Sequence, residues 1–174
     1  MAISHFTSTA DQASSAPAPV PAPRPAGWSR PRLGELLVRK GYLTADQVEW
    51  ALERAKEENE LLGVILLRER LMFDVDLART LSEQLDVPYV DIMQLGVDHG
   101  AVRLLDAEVG LKAVAIPIRT LQDGSVMVGF GDPLDHDSVD LVTARLPRIS
   151  TAVCEVSAIV RTWRRIAPDA VARR

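Results

Sequence analysis

Along residues 32–88 apolar side chains recur at spacings of three and four, the period of an amphipathic helix. Leu33, Leu36 and Leu37 followed by Gly41 predict a short helix ended by a left-handed glycine cap. Thr44 and Gln47 stand at capping-box spacing and open a second helix, with Val48, Ala51, Leu52 and Ala55 on one stripe and the polar run Lys56–Glu60 as its exposed end. A third helix is predicted from about Leu61 to Arg70. A fourth, capped by Asp74, carries Leu77, Leu81 and Leu85 and ends before Pro88.

Beyond Pro88 the texture changes. Residues 98–109 fit one short helix starting near Asp98, whereas residues 113–121 and 125–130 are strand-like and joined by Gln122, Asp123 and Gly124, a hairpin signal. The turn Gly131-Asp132-Pro133 follows, then a helix from about Asp137 to Leu146, a third strand over Ile149–Cys154 and a last helix from Ser157 to Ala167. The expected fold class is α+β: a four-helix subdomain made of a duplicated helical hairpin, then a small α/β subdomain with about three strands. The expected division is an Ala/Pro/Ser-rich leader over 1–30, a helical subdomain over 31–90, an α/β subdomain over 91–167 and a polar basic tail over 168–174.

Composition narrows the function classes. The chain has 174 residues, 47% hydrophobic and 25% charged, within the range of globular proteins. Six of its eleven prolines lie in the first 31 residues, and residues 1–30 read as a solvated, partly extended spacer or a Pro-rich ligand for an aromatic groove. Net charge is -4, and beyond residue 30 there are 18 basic and 23 acidic side chains, which argues against broad binding to DNA or RNA. The single Cys154 rules out an internal disulfide, and no Cys/His cluster has metal-ligand spacing, so a cytoplasmic protein with no structural metal is expected. No run approaches the ~18 apolar residues of a membrane span, and membrane insertion is not expected.

The most informative feature is an internal repeat. At an offset of 29, RLGELLVRKGYLTADQVEWALERA aligns with LLGVILLRERLMFDVDLARTLSEQ, two 24-residue copies separated by KEENE. Leu33/Leu62, Gly34/Gly63, Leu37/Leu66, Leu43/Met72, Val48/Leu77 and Leu52/Leu81 match in register. Two hairpins packed on each other account for the leucines. Gly34 and Gly63 fall inside helical patterns, where each costs about 1 kcal/mol relative to Ala, so something approaches the backbone closely there. A duplicated hairpin also presents a pseudo-two-fold surface, suited to a symmetric ligand or a partner helix.

The repeat resembles the tandem motif of the MshEN-type N-terminal domain of type II secretion and type IV pilus assembly ATPases. IPI (116–118), GFGDPLD (129–135) and the final helix are similar to the α/β half of the same domains, so the resemblance covers about residues 31–167. It implies a non-catalytic regulatory domain that binds cyclic di-GMP, needs no other cofactor and is recruited to the inner membrane by a protein partner of a secretion or pilus machine. Carried over residue by residue, Arg32, Leu33, Gly34, Leu37, Gly41, Val48 and Leu52 fit in the first copy, and Leu62, Gly63, Leu66, Leu77, Leu81 and Gln84 in the second. The first copy closes on Ala55 in place of Gln. The second opens on Leu61 in place of Arg and carries Arg70 in place of Gly, where the arginine is either a substitute cation or a plug in the ligand's space. In this reading Arg32 takes one end of the dinucleotide and Gln84 the other, while Leu37, Leu52, Leu66 and Leu81 pack on purines and ribose. The competing reading is a protein-protein docking module that has lost nucleotide binding.

Enzymatic chemistry has no support in the sequence. There is no Gly-x-x-x-x-Gly-Lys-Ser/Thr phosphate loop, so the ATPase that usually follows such a domain is not in these 174 residues, and the chain is either a stand-alone regulator or part of a longer protein. Gly129, Gly131 and Pro133 read as a strand-ending turn, His99 and His136 lack a nucleophile at recognisable spacing, and Cys154 reads as packing. Trp50 is expected to be partly buried beside the apolar stripe, with a partner-facing anchor as the alternative. Arg161, Arg164, Arg165, Arg173 and Arg174 put positive charge at the end of the chain, either as a solvated helix end or as a receiver for an acidic partner or the negative membrane surface.

Overall fold

In the computed structural model, which describes residues 31–171, the duplicated motif forms two helical hairpins: α1 (Leu33–Arg39) with α2 (Ala45–Glu58), and α3 (Leu62–Arg68) with α4 (Asp74–Leu85). The expected leader lies outside the described residues. The Thr44 hydroxyl accepts from the Gln47 amide at 3.3 Å and the Gln47 side chain accepts from the Thr44 amide at 2.9 Å, so the capping box forms as read. Leu37, Ala51, Ile65, Leu66 and Leu81 fill the space between the four helices. Ion pairs from Lys40 to Glu83 and from Arg68 to Glu58 cross between helices at the surface.

The α/β half follows. Three short helices, α5 (Ile92–Leu95), α6 (His99–Val102) and α7 (Ala107–Lys112), precede β1 (Ala115–Thr120) and β2 (Val126–Phe130); then come α8 (His136–Thr143), β3 (Ile149–Val153), α9 (Val156–Ile166) and α10 (Pro168–Val171). The sheet order is β1-β2-β3, with β1 antiparallel to β2 through the hairpin and β2 parallel to β3 through the α8 crossover. The Asp123 carboxylate accepts from the Ser125 amide at 2.9 Å and Gly124 takes φ +78°, which closes the turn that the sequence signalled. The architecture is α+β, with one apolar cluster between the sheet and α7–α9 and another among the hairpins.

A backbone pairing joins the clusters. The connecting segment pairs with the outer edge of β3: the Val153 amide donates to the Pro88 carbonyl at 2.8 Å and the Val90 amide to the Val153 carbonyl at 2.9 Å. This leaves Val153 packed among the hairpin side chains. On the other side of the sheet Trp163 of α9 is buried, its indole N–H donating to the Ala115 carbonyl at 2.8 Å. Its ring lies so close to α7 that a Cβ on Gly110 would fall 2.5 Å from it.

Several expectations need correction. Asp74 does not cap α4; Phe73 occupies that N-cap without a side-chain bond, and the Asp74 carboxylate instead accepts from Val156 and Ser157 at the start of α9. Residues 98–109 are two helices, because Asp98 caps α6 and Asp106 occupies the N-cap of α7, restarting the chain after Leu105 turns inward. Pro168–Val171 is helical rather than tail. Trp50 is 43% exposed, with the Arg54 guanidinium 5.9 Å from its ring centre.

Candidate functional site

Each repeat copy folds so that its motif glycine receives an apolar side chain from the next helix. A Cβ on Gly34 would lie 2.6 Å from Val48 Cγ1, and one on Gly63 would lie 3.2 Å from Leu77 Cδ2. The close approach inferred at both glycines is therefore a helix-helix contact, and it leaves a shallow depression beside each glycine. Beside Gly34 the depression opens to solvent, about 610 Å³ in volume, between Val38, Leu52 and the carboxylates Glu35, Glu49 and Glu53. Beside Gly63 it is roofed by the α/β half and shrinks to about 220 Å³, with Leu67 and Leu77 on one wall and Val114, Gly131 and Asp132 on the other.

Asp132 is a cavity-lining carboxylate absent from the residues expected at the site, since GFGDPLD reads as a strand-ending turn and as part of the family resemblance. Its Oδ1 accepts from the Leu134 amide at 2.8 Å, and burial, with Asp135 nearby, pushes its pKa above the usual carboxylate range. The second carboxylate oxygen faces the Gly63 position, 3.9 Å from where a Cβ would stand. A desolvated carboxylate in an apolar cavity is suited to accept hydrogen bonds from an N–H edge.

Arg32 and Gln84 do not lie at opposite ends of the surface. The Gln84 amide donates to the Pro31 carbonyl at 3.1 Å, immediately before Arg32, so the two polar motif residues share one end. Gln84 Oε1 is buried and has no hydrogen-bond partner among the described residues. Leu77 and Gln84 are seven residues apart on α4, hence on one face and about 10 Å apart along the axis. The Gly63 cavity and the Arg32/Gln84 end thus lie along a common stripe.

The remaining motif residues divide by burial. Leu33, Leu37, Leu66 and Leu81 belong to the hairpin core, Leu62 packs against it, and Leu52 is 50% exposed on the outer face of α2. Leu37, Leu66 and Leu81 are wholly enclosed, so the expected purine contacts through them do not form from this arrangement. Gly41 and Arg70 are equivalent turn residues. Both have positive φ, +73° and +57°, and both turns close with the bonds of a Schellman motif, Tyr42 N to Leu37 O at 3.0 Å and Leu71 N to Leu66 O at 2.9 Å. The Arg70 side chain lines a different groove, between the α3–α4 turn and α9, and does not line the Gly63 cavity.

Among the described residues no three His, Cys, Asp or Glu side chains cluster as a metal site, and no helix is long and apolar enough to cross a membrane. Cys154 is buried, with its thiol pKa pushed up to about 12 chiefly by desolvation. His136 sits exposed in the first turn of α8, whose N-cap Asp135 accepts from the Ser138 amide.

Comparison with known proteins agrees with this architecture. A structure of MshE with cyclic di-GMP superposes with a TM-score of 0.66 at 28% identity, covering 78% of this chain and 99% of that one. The N-terminal domain of XpsE superposes with a TM-score of 0.66 at 26% identity, covering 77% and 92%. In sequence, the type IV pilus assembly ATPase PilB of Thermus thermophilus is 33% identical over 112 residues, and PilB of Myxococcus xanthus is 28% identical over 109. These alignments take in 64% and 63% of this chain and only 13% and 19% of the two ATPases. The MshEN domain model matches residues 85–173, just over half of the chain, from the end of α4 through the α/β half. The chain belongs to the MshEN domain family.

Proposed function

We propose that this chain is a non-catalytic regulatory domain that binds cyclic di-GMP along the α4 stripe, between the Gly63 cavity and the Arg32/Gln84 end. The observation that carries this reading is the desolvated Asp132 carboxylate facing the second motif glycine. One guanine enters the cavity, which at about 220 Å³ admits a ring system but not the dinucleotide, and gives its N1–H and N2–H to Asp132. The second guanine lies near Arg32 and Gln84, where the guanidinium is suited to the O6/N7 edge or a phosphate, and the partnerless Gln84 oxygen accepts an N–H. The protein supplies binding and a change in how its two halves hold together, with no bond-making step. The MshE structure with cyclic di-GMP supports the ligand class.

Titration calorimetry of the folded protein with cyclic di-GMP, against GTP and ATP, tests the reading. Binding selective for the cyclic dinucleotide, weakened at least tenfold by both Arg32→Ala and Asp132→Asn, is the expected result. No heat at tens of micromolar folded protein would sink it.

A second reading, a docking module for an envelope machine that does not use the dinucleotide, is favoured by one feature. The first copy's depression is open, acidic and flanked by the exposed Leu52, with Trp50 exposed on the same helix. Pull-down of a partner that survives Arg32→Ala and fails on Leu52→Glu would select it.

A further inference from the structure

Independently of the ligand reading, we propose that copies of this chain associate head to tail, with the acidic outer face of α2 on one copy seated in the arginine-rimmed groove beside α9 on the next. The groove has a volume of about 720 Å³ and runs between the α3–α4 turn and α9. Leu67, Leu71 and Val160 contribute apolar walls, and Phe73 stands at the α3–α4 turn 78% exposed. Arg70, Arg161 and Arg164 line the same groove, and among the described residues none of the three has an ion-pair partner. The one carboxylate present, Asp74, is already engaged through both oxygens by the Val156 and Ser157 amides, at 3.0 and 2.7 Å. The groove therefore carries three arginines against one amide-bound carboxylate, a net positive rim around an apolar trough.

The complementary charge is on the α1–α2 hairpin. Glu49 and Glu53 stand one turn apart on α2 with the half-exposed Leu52 between them, and Glu35 and Val38 of α1 extend the face, whose three carboxylates outnumber its one cation, Arg39. An apolar knob flanked by carboxylates about 6 Å apart along the axis meets arginines about 4.5 Å apart on α9, and guanidinium-carboxylate pairs of this kind favour planar, two-point contacts. The trough is concave and takes a ridge, which a helix supplies and a flat lipid surface does not. The chain's own first 30 residues are a poor occupant, since they carry two arginines against one aspartate. Because groove and ridge are different surfaces of one molecule, the contact is heterologous and propagates into chains or closes into a ring.

Sedimentation velocity over a concentration series, at low and high salt, tests the proposal with the full chain. The expected result is a weight-average mass that at least doubles with concentration at low salt and falls back at high salt. Arg161→Glu/Arg164→Glu and Glu49→Arg/Glu53→Arg should each stay at the one-chain mass, while an equimolar mixture of the two recovers association through the intact groove of one and the intact ridge of the other. Circular dichroism melts establish that both variants fold; should either fail, Arg164→Gln and Glu53→Gln replace them, and each should weaken association severalfold. Wild-type protein that stays monomeric at hundreds of micromolar overturns the proposal. So does association untouched by both charge reversals, or binding to anionic phosphatidylglycerol vesicles by a chain that does not self-associate, which would assign the arginines to lipid.

Discussion

Replacing Arg70 by Gly should stabilise the fold, although it deletes a long side chain and restores nothing polar. Arg70 is held at φ +57° as the residue after the α3 cap, in the place that Gly41 fills after α1. A left-handed conformation costs a residue with a Cβ roughly 1–2 kcal/mol, and glycine escapes that cost while adding about 0.4–1 kcal/mol of unfolded-chain entropy. The net gain is about 0.5–1 kcal/mol. For a folded unit of roughly 140 residues, at about 2.1 cal/mol/K per residue, this raises Tm by about 2–3 °C. Arg70→Ala is the control, because alanine carries the same backbone penalty and should leave Tm within about 1 °C. Urea unfolding and calorimetric melts of the three proteins decide it. If Arg70→Gly melts at or below wild type, or Arg70→Ala gains as much, then the side chain rather than the backbone governs this position and the reasoning fails. The same Arg70→Gly protein should also self-associate less, having lost one of the three charges of the groove.

Asp74→Ala removes two charge-assisted bonds from the first turn of α9 and should cost about 1–2 kcal/mol in urea unfolding; a change below a few tenths would show that the carboxylate is a spectator. For Asp132→Asn the sign is opposite. A carboxyl whose folded pKa is raised contributes stability below its unfolded value and loses it as pH rises through the folded one, so the neutral isostere should be more stable at pH 7 and its advantage should shrink as pH falls into the ordinary carboxylate range. That variant should bind cyclic di-GMP less well while melting higher, and a lower melting temperature at pH 7 would count against the desolvated carboxylate. Cys154, pushed up to about 12, should be inert to thiol reagents at pH 8 in the native state, and its share of stability should be full below pH 9 and drain away between pH 9 and 12. Urea titrations of wild type and Cys154→Ala at pH 8 and 10.5 should converge at the higher pH, and parallel curves would contradict the burial argument.

What could be read in the sequence was local in cause. The Thr44/Gln47 box, the glycine stop at Gly41 and the Asp123-Gly124 turn each depend on residues within five positions of one another, and each formed as the pattern predicted. The role of Asp74 is not legible locally, because its partners, Val156 and Ser157, are 82 and 83 residues away, and a carboxylate ahead of an apolar helix has the same local appearance whichever helix it serves. The candidate site was legible to the extent that it rests on the motif, with Gly63 and Leu77 as one wall of a cavity. Its other wall, Gly131 and Asp132, comes from a turn whose spacing suggests only the end of a strand.

The repeat is symmetric in sequence and asymmetric in surroundings, and that difference accounts for the placement of its departures. Leu52 and Leu81 are equivalent by register, yet one is 50% exposed and the other fully enclosed. The cause is that α4 lies against both α1 and β3, while the outer face of α2 carries the open, acidic depression. Polar motif chemistry is kept at the end where Gln84 of the second copy meets the residue before Arg32 of the first. It is lost at the equivalent end, where Leu61 follows closely on Ala55 and the Glu60 amide donates to the Ala55 carbonyl at 2.9 Å. One end of the pseudo-two-fold surface is thus equipped to hydrogen-bond a ligand and the other is apolar. An exchange separates the two proposed uses: Ala55→Gln with Leu61→Arg rebuilds the missing end. If the dinucleotide uses both ends in a two-fold manner, affinity should rise about tenfold or more, as two added polar contacts of this kind would supply at least 1.4 kcal/mol. If it enters only at the Gly63 cavity and the Arg32/Gln84 end, affinity stays where it was. A rise would refute the placement along α4 proposed above, while selective binding that the rebuilt end leaves unchanged would support it.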